Sequence, residues 1–174
     1  MPLAREDELF YTSLESPIGN LYLALTDKGV CLLCIDRSEE KFLQELTASG
    51  IKTLRRDDLK GGFIKRELES YFARELRRFQ TPIDLLWGTP FERRVWQELS
   101  RIPYGETRSY REVAESVGVP RGYRAVGRAV GKNPIGIIIP CHRVMLSDGG
   151  LGGFGAGVDV KRYLLNLEGH SISP

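Results

Sequence analysis

A cysteine and a histidine stand side by side after an apolar segment in the second half of this 174-residue chain. The β-branched run 135–139 predicts a buried strand, and Cys141 and His142 follow it after Pro140. A cysteine becomes a nucleophile when a nearby cation or base lowers its pKa, because the thiolate is the reactive form. Adjacent side chains of an extended chain point to opposite sides, so a bent backbone or a bridging water would have to join His142 to Cys141.

A third group is needed to orient the imidazole, and Glu168 is the candidate. It lies on a predicted last helix, which Asp159 is interpreted as capping and whose apolar face includes Leu164 and Leu167. From the residues alone, a core or incidental position is the alternative interpretation of the Cys-His pair.

The other two cysteines, Cys31 and Cys34, lie in a predicted strand, where a separation of three places them on opposite faces. We therefore expect core thiols, no metal site and no cofactor. Three cysteines do not form a secreted disulfide framework. With neither a signal peptide nor a membrane span in the sequence, the expected location is the cytoplasm, without membrane association. Asn, Gln, Cys and Met are scarce, which favours a thermophilic, prokaryotic source.

Positive charge is concentrated in the second half of the chain. Residues 89–174 carry 12 basic and 8 acidic side chains, whereas residues 1–88 carry 13 and 15. Between Arg101 and Arg143 there are 8 basic side chains and 3 acidic ones. This excess suits a polyanion such as nucleic acid, although a solvated helix face would look similar.

Three helices are predicted over residues 90–132, and the last two lie inside this basic stretch. Thr89 with Glu92 and Ser109 with Glu112 form capping boxes, so helices begin at Pro90 and Tyr110. A tight connection at 118–122 separates the second of these from a helix over 123–132, as in a helix-turn-helix unit.

The helix over 123–132 is unusually rich in small residues, although each interior glycine costs about 1 kcal/mol of helix propensity relative to alanine. Either the small residues admit the backbone to a narrow DNA groove, with Arg124 and Arg128 at the ends, or Gly127 and Gly131 pack on a neighbouring helix.

The first half of the chain indicates a small mixed domain. Alternating residues over 9–36 predict an antiparallel meander of about three strands, followed by helices from Ser38 to Gly50 and from Phe63 to Leu76. The predicted class is α+β: an N-terminal α/β domain over 1–80 with an antiparallel sheet, a linker over 81–88, and a mostly helical C-terminal domain over 89–174 with a winged-helix-like helix-turn-helix DNA-binding unit.

Several segments, in the same order along the chain, resemble the O6-alkylguanine-DNA alkyltransferases, also called methylated-DNA–protein-cysteine methyltransferases. They are Ser109-Tyr110, Arg124-Ala125-Val126-Gly127, Asn133-Pro134, Pro140-Cys141-His142-Arg143-Val144 and Leu164-Leu165-x-x-Glu168-Gly169. The resemblance is specific from Thr89 to Gly169 and continues more weakly through Ser16-Pro17-Ile18-Gly19 in the first half.

The resemblance implies that Cys141 accepts an alkyl group from the O6 atom of guanine in duplex DNA, in one irreversible turnover, with O4-alkylthymine as a further substrate. Glu168 and His142 are implied to reach Cys141 through a water molecule and to favour its thiolate. Asn133 is implied to brace the turn before the active-site segment, and Tyr110 to donate a proton toward the departing guanine.

The resemblance also implies how the DNA is held. Arg124 is implied to enter the duplex in place of a nucleotide flipped out through the minor groove. The implied groove-facing residues of the same helix are Ala125, Gly127, Arg128, Ala129 and Gly131. The backbone carbonyls of Cys141 and Val144 are implied to bind the exocyclic amine of the base. Phe154 and Gly155 depart from the Tyr and Ser of other members, which suggests a more apolar pocket.

Two other classes of function remain open at this point. One is a DNA-binding module that recognises alkylated bases without repairing them, and the other is a Cys-His hydrolase or transferase acting on small molecules. Retention of Cys141 with His142 and Glu168 argues against the first. The basic helices argue against the second, so the expected partner of a monomeric protein is duplex DNA containing O6-alkylguanine.

Overall fold

The computed structural model describes residues 8–174, which divide into two compact units with the boundary after Leu86. Part of the segment interpreted as a linker is hydrogen-bonded within the first unit. The amide of Val30 donates to the carbonyl of Pro82, and the amide of Asp84 donates to the carbonyl of Val30. The predicted α+β class is confirmed, because the first unit carries an antiparallel sheet and the second is mostly helical.

A four-stranded sheet in the order β3-β2-β1-β4 forms the first unit. Its strands are β1 (Glu8–Ser16), β2 (Gly19–Leu25), β3 (Val30–Ile35) and β4 (Thr53–Arg56). The first three are antiparallel neighbours, as the alternating pattern predicts, and β4 pairs in parallel with β1. The sequence pattern does not reveal β4, because this four-residue strand is mostly polar and buries no side chain.

Two helices cover the sheet of the first unit: α1 (Glu39–Ala48) and α2 (Gly62–Phe72). Phe42 of α1 packs on the ring of Tyr22, with ring centroids 5.4 Å apart. The α2 helix ends four residues before the predicted Leu76, because Arg74 adopts a left-handed backbone with φ 63°. Hydrogen bonding cannot continue regularly through such a residue, so the prediction of the longer helix is wrong.

Both cysteines of β3 are buried free thiols, as predicted. The Cys31 thiol donates to the carbonyl of Ala24, and burial raises its pKa to about 12. Burial also raises the pKa of Cys34. Both side chains are therefore protonated core groups at neutral pH.

Four helices form the second unit: α3 (Pro90–Leu99), α4 (Tyr110–Ser116), α5 (Tyr123–Gly131) and α6 (Val158–Leu167). Both predicted capping boxes are present, at Thr89 and at Ser109. The indole of Trp96 on α3 donates to the carbonyl of Ala129 at 2.8 Å, which anchors α5 in the core of this unit.

Two local predictions in the second unit are wrong. Residues 135–139 form a buried turn rather than a strand, with Ile137 at φ 69°, because apolar β-branched residues favour burial without distinguishing a strand from a turn. Gly157, not Asp159, is the N-cap of α6, and Asp159 pairs with Arg162 instead.

No helix within residues 8–174 has the length and apolar character that crossing a membrane requires.

Candidate active site

The thiol of Cys141 lies on a tightly wound backbone in the core of the second unit. Residues 141–143 form one turn of 3-10 helix, and Cys141 is only 7% exposed. Asn133 braces the preceding turn from inside: its Nδ2 donates to the carbonyl of Ile139 at 2.8 Å, and its Oδ1 accepts from the amide of Ile135 at 3.0 Å. The helical winding at Cys141 replaces the extended backbone that sequence patterning predicts.

His142, Arg143 and Glu168 form a fully buried charge network beside Cys141. Nε2 of His142 lies 2.7 Å from Oε1 of Glu168. Arg143 binds the same carboxylate with two nitrogens, at 2.8 and 2.9 Å, and its third nitrogen donates to the carbonyl of Ile102 at 2.5 Å. The last helix thus presents Glu168, its C-cap residue, to two consecutive residues of the cysteine turn.

The network determines the charge states of its members. Burial by itself would raise the pKa of Glu168, but the hydrogen bonds from His142 and Arg143 outweigh burial and hold that pKa well below its usual range. Burial lowers the pKa of His142, despite the neighbouring carboxylate. At neutral pH the network therefore contains an ionised Glu168 and a neutral imidazole.

The free lone pair of this imidazole faces the protein interior at Nδ1. A neutral histidine that donates from Nε2 to a carboxylate has its acceptor on the other nitrogen. Nδ1 of His142 is buried, and no atom of residues 8–174 hydrogen-bonds to it. The ring can therefore accept one more hydrogen bond at this nitrogen.

Lys161 places an ammonium group next to the cysteine. The side chain is fully buried on α6, and Nζ donates to the carbonyl of Val144 at 2.5 Å and to the carbonyl of Leu151. Burial lowers its pKa to about 8, and the negative charge of the Cys141 thiolate opposes that shift. Lys161 is thus a buried cation whose charge interacts with Cys141, and its Nζ also lies 5.9 Å from the ring centroid of Tyr110.

Opposing influences act on the thiol itself. Burial raises the pKa of Cys141, while a hydrogen bond from the side chain of Asn133 and the charge of Lys161 lower it, with smaller help from local backbone amides. Burial has the largest effect, so the pKa of Cys141 is raised overall, and the surrounding groups reduce that rise.

Tyr110 connects Cys141 to a surface cavity. A short parallel pair, β5 (Arg108–Ser109) with β6 (Val144–Met145), joins the start of α4 to the residues just after the cysteine turn. Burial and the Cys141 charge raise the pKa of Tyr110, so its hydroxyl stays protonated. Tyr110 also lines a cavity of about 420 Å³, together with Tyr123, Gly127, Leu146 and Gly153.

Among the described residues that line this cavity there is none of the three predicted substrate-binding residues Val144, Phe154 and Gly155. Val144 is buried, and its carbonyl already accepts from Lys161, while the carbonyl of Cys141 accepts from the amide of Val144. Each carbonyl oxygen retains a second lone pair. Phe154 is half-buried and Gly155 is exposed on the loop before α6, and neither is among the described residues that line the cavity.

Most of the predicted DNA-binding residues lie on the accessible part of α5. Arg124 and Arg128 are exposed, Ala125 and Gly127 are half-buried, and a Cβ at Gly131 would meet open space. The helix-packing explanation for Gly131 is therefore wrong.

Ala129 does not belong to the predicted DNA-facing surface. It is 1% exposed, because its position on α5 faces the core beside Trp96. It cannot touch a groove without unfolding of that core.

Four exposed arginines of the basic stretch form no ion pair within residues 8–174. They are Arg111, Arg121, Arg124 and Arg128. Other cations of the stretch are neutralised, since Arg108 pairs with Glu106 and Lys132 pairs with Glu92. Among the same described residues, no three His, Cys, Asp or Glu side chains are grouped so as to hold a metal ion.

Sequence reasoning assigned no role to Arg143 and Lys161, although both shape the site. Arg143 stands in the segment Pro140-Cys141-His142-Arg143-Val144, so its position next to the Cys-His pair was a usable signal. Lys161 is 20 residues from Cys141 in a helix of ordinary amphipathic pattern, and nothing local distinguishes it from a surface lysine.

Comparison with known proteins assigns this architecture to one family. Residues 90–170 match the 6-O-methylguanine DNA methyltransferase DNA-binding domain, and residues 9–85 match the ribonuclease-like domain of the same family. The chain is 42% identical over 167 residues to a methylated-DNA–protein-cysteine methyltransferase of Methanosarcina barkeri, covering 94% of this chain and 99% of that one. A constitutive enzyme of the same name from Bacillus subtilis is 37% identical, with 91% and 94% covered.

A solved structure supports the same family assignment. The Mycobacterium tuberculosis OGT in complex with DNA superposes with a TM-score of 0.79 at 42% identity, covering 91% of this chain and 92% of that one. The resemblance inferred from the motifs is confirmed: the chain belongs to the 6-O-methylguanine DNA methyltransferase family and is a methylated-DNA–protein-cysteine methyltransferase.

Proposed function

We propose that the protein repairs duplex DNA by moving the alkyl group of an O6-alkylguanine irreversibly onto Sγ of Cys141. The observation that carries this assignment is the set of groups around one buried thiol: Lys161, Asn133 and the His142–Glu168 pair. The negative charge of the same cysteine raises the pKa of Tyr110, and Tyr110 lines a cavity that is open to a ligand.

The transfer is a displacement at the alkyl carbon. The Cys141 thiol gives its proton to Nδ1 of His142 through a bridging water, and Glu168 stabilises the imidazolium that forms. The thiolate attacks the carbon, so that a carbon–sulfur bond forms while the carbon–O6 bond breaks and its electron pair stays on guanine. Tyr110 donates a proton to the departing base and is reprotonated from solvent, while the imidazolium later loses its proton. The products are S-alkyl-Cys141 and unmodified guanine.

Single turnover follows from this chemistry. The C–S bond of the S-alkyl cysteine is stable, because a thiolate is a poor leaving group, and the mechanism provides no group that would return the sulfur to a thiol. Each molecule therefore accepts one alkyl group.

The helices α4 and α5, joined by residues 117–122, serve as a helix-turn-helix that enters the minor groove. The exposed, unpaired Arg124 takes the place of the target nucleotide in the stack, because an enzyme that reacts at a base atom must extract that base. Gly131 and the half-buried Ala125 and Gly127 let the helix backbone approach the groove floor. Arg128 and the other unpaired arginines bind phosphates, which makes binding sensitive to salt.

Replacing Arg124 with alanine tests this arrangement. We expect the second-order rate of transfer from a duplex carrying one O6-methylguanine to fall about tenfold or more, since extrusion loses the side chain that fills the gap. Reaction with free O6-benzylguanine, which needs no extrusion, should stay within about twofold of wild type. Arg162→Ala is the matched control, because that arginine pairs with Asp159 on α6. Equal losses with both substrates would contradict the role of Arg124 in extrusion.

The proposed function itself is tested by intact mass and peptide mapping after mixing with equimolar duplex containing one O6-methylguanine. We expect one added methyl group per protein molecule, located at Cys141, and none in Cys141→Ala. Addition should not exceed one equivalent when the duplex is in excess.

Other outcomes point to other functions. Tight and selective binding of the duplex without transfer would indicate a lesion-recognition module. Repeated turnover of a small ester or thioester, independent of DNA and salt, would indicate a Cys-His transferase. Methylation at Cys31 or Cys34 would overturn the assignment of the nucleophile.

The substrate range, the oligomeric state and the cellular location can be proposed as well. We propose O4-alkylthymine as a second substrate, a monomeric protein without cofactor, and action in the cytoplasm of a thermophilic prokaryote. The scarcity of Asn, Gln, Cys and Met supports the thermophilic source.

A further inference from the structure

Tyr123 is an exposed aromatic residue in an unexpected place. It is the first residue of α5 and is 45% exposed. The residues that follow it on the accessible face of this helix are small or are arginines. A large, rigid ring at this position conflicts with a helix whose small side chains allow close approach to DNA, unless the ring lies to one side of that approach.

The cavity beside Tyr110 provides that position. Tyr123 and Gly127, one turn apart on α5, both line it, as does Tyr110 on α4. Gly127 carries no side chain, and a Cβ built there would lie 3.8 Å from the ring of Tyr110. The wall between the two aromatic residues is therefore flat and open. A cavity of about 420 Å³ is large enough for small-molecule ligands.

Leu146 adds a second exposed apolar side chain to the same cavity. It is 44% exposed and lies on the loop after β6. Tyr123 and Leu146 are two of the few large apolar side chains that the described residues leave exposed, and both line this one cavity. Exposed apolar surface gathered in a concave site indicates a ligand that covers it.

We propose that Tyr123 is a base-stacking residue, whose ring packs on a face of the extrahelical alkylguanine while Leu146 covers its edge. A flat purine fits the open wall above Gly127, and flipped bases are held by stacking on aromatic and apolar side chains. This inference rests on the proposed function and adds to it a specificity-determining residue that contacts the substrate. Tyr123 discriminates an extruded purine from the undamaged duplex by stacking, and Arg124, the next residue, fills the gap that the base leaves.

The test separates contact with the base from contact with the DNA backbone. In the Cys141→Ala background, which binds without turnover, affinity is measured for a duplex with one O6-methylguanine and for the identical duplex with guanine. The ratio of the two affinities isolates recognition of the extruded base, because backbone contacts are common to both duplexes. Tyr123→Phe retains the ring, Tyr123→Leu retains apolar bulk without a flat face, and Tyr123→Ala removes both.

We expect Tyr123→Ala to lower this ratio about tenfold, the lower range of one base–aromatic stack. Tyr123→Leu should lose most of the same factor, and Tyr123→Phe should retain the ratio of the parent. Val158→Ala, which removes an exposed apolar side chain outside the cavity, is the control. Thermal unfolding of each variant verifies that it is folded.

Two results would overturn the inference. If both affinities fall together and the ratio is unchanged, Tyr123 contacts the DNA backbone rather than the base. If neither affinity changes, Tyr123 contacts no part of the substrate. Failure of the proposed function is distinguishable from either, because it shows as an absence of methyl transfer to wild-type Cys141.

Discussion

Replacing Glu168 with glutamine is expected to lower the free energy of unfolding by about 3–5 kcal/mol, as removal of one partner from a buried ion pair does. The carboxylate is fully buried and receives two hydrogen bonds from Arg143 and one from His142. Glutamine has nearly the same shape but leaves the Arg143 guanidinium without its countercharge. Chemical unfolding, followed by the fluorescence of the tryptophans, measures the change.

A surface carboxylate provides the matched control. Glu106 pairs with Arg108, and both side chains are substantially exposed, so Glu106→Gln should change stability by less than about 1 kcal/mol. The double variant Glu168→Leu with Arg143→Met removes both charges. It should recover a large part of the lost free energy of unfolding, since a buried charge without a partner is what destabilises the fold. Loss of less than about 1 kcal/mol in Glu168→Gln would show that the network does not stabilise the fold.

The same network makes stability sensitive to acid. The pKa of His142 is lowered in the folded protein, so below the unfolded value of about 6.5 the unfolded chain binds a proton that the folded chain does not. The pKa of Glu168 is also lowered, so its contribution is present above about pH 4.3 and declines as pH falls toward its folded pKa. Both effects reduce stability as pH falls, first below about 6.5 and then further below about 4.3. Glu168→Gln should abolish the lower part of this dependence.

The second large effect is expected at Lys161. Lys161→Met removes the buried ammonium that favours the Cys141 thiolate, so the pKa of the thiol should rise further. We expect the apparent pKa for alkylation of Cys141 by iodoacetamide to rise, because the thiolate loses a neighbouring positive charge. The rate at pH 7 should fall about tenfold to a hundredfold, because the rate follows the thiolate fraction. Peptide mapping assigns the label to Cys141.

A merely structural role of Lys161 would leave that pH profile in place. Lys161→Arg retains the charge and should retain most of the thiolate, while Lys132→Met removes an exposed lysine paired with Glu92 and should change nothing. Lys161→Met should remain folded. Below the folded pKa of about 8, a buried ammonium destabilises the protein, and its removal offsets the loss of two hydrogen bonds to carbonyls. An unshifted profile in Lys161→Met would show that Asn133 and the backbone amides suffice.

The features predicted well from sequence depend on neighbours along the chain. The capping boxes at Thr89 and Ser109 join residues three apart, and both helices begin where the boxes predict. The antiparallel meander was predicted from alternating apolar and polar residues and from the short turns between its strands, and these strands pair as predicted. The adjacent Cys141 and His142, with the motifs around them, were sufficient to identify the family.

Tertiary structure decided what neighbours along the chain cannot. The apolar run 135–139 has the pattern of a strand, but the side chain of Asn133 closes it into a turn by hydrogen-bonding to backbone groups of that run. Ala129 has the residue type of a small-residue surface, but in the folded unit it is 1% exposed, on the part of α5 whose backbone carbonyl accepts from Trp96, 33 residues away.

The chemistry of the site shows the same division. Sequence by itself determined the nucleophile, its neighbouring imidazole and the family, because these are fixed by residue types in a local pattern. Only the folded chain brings Lys161 to the thiol and joins Arg143 to Glu168, which lies 25 residues away. The pKa values that set reactivity depend on burial and on charges across such distances, and neither is encoded in the spacing of residues along the chain.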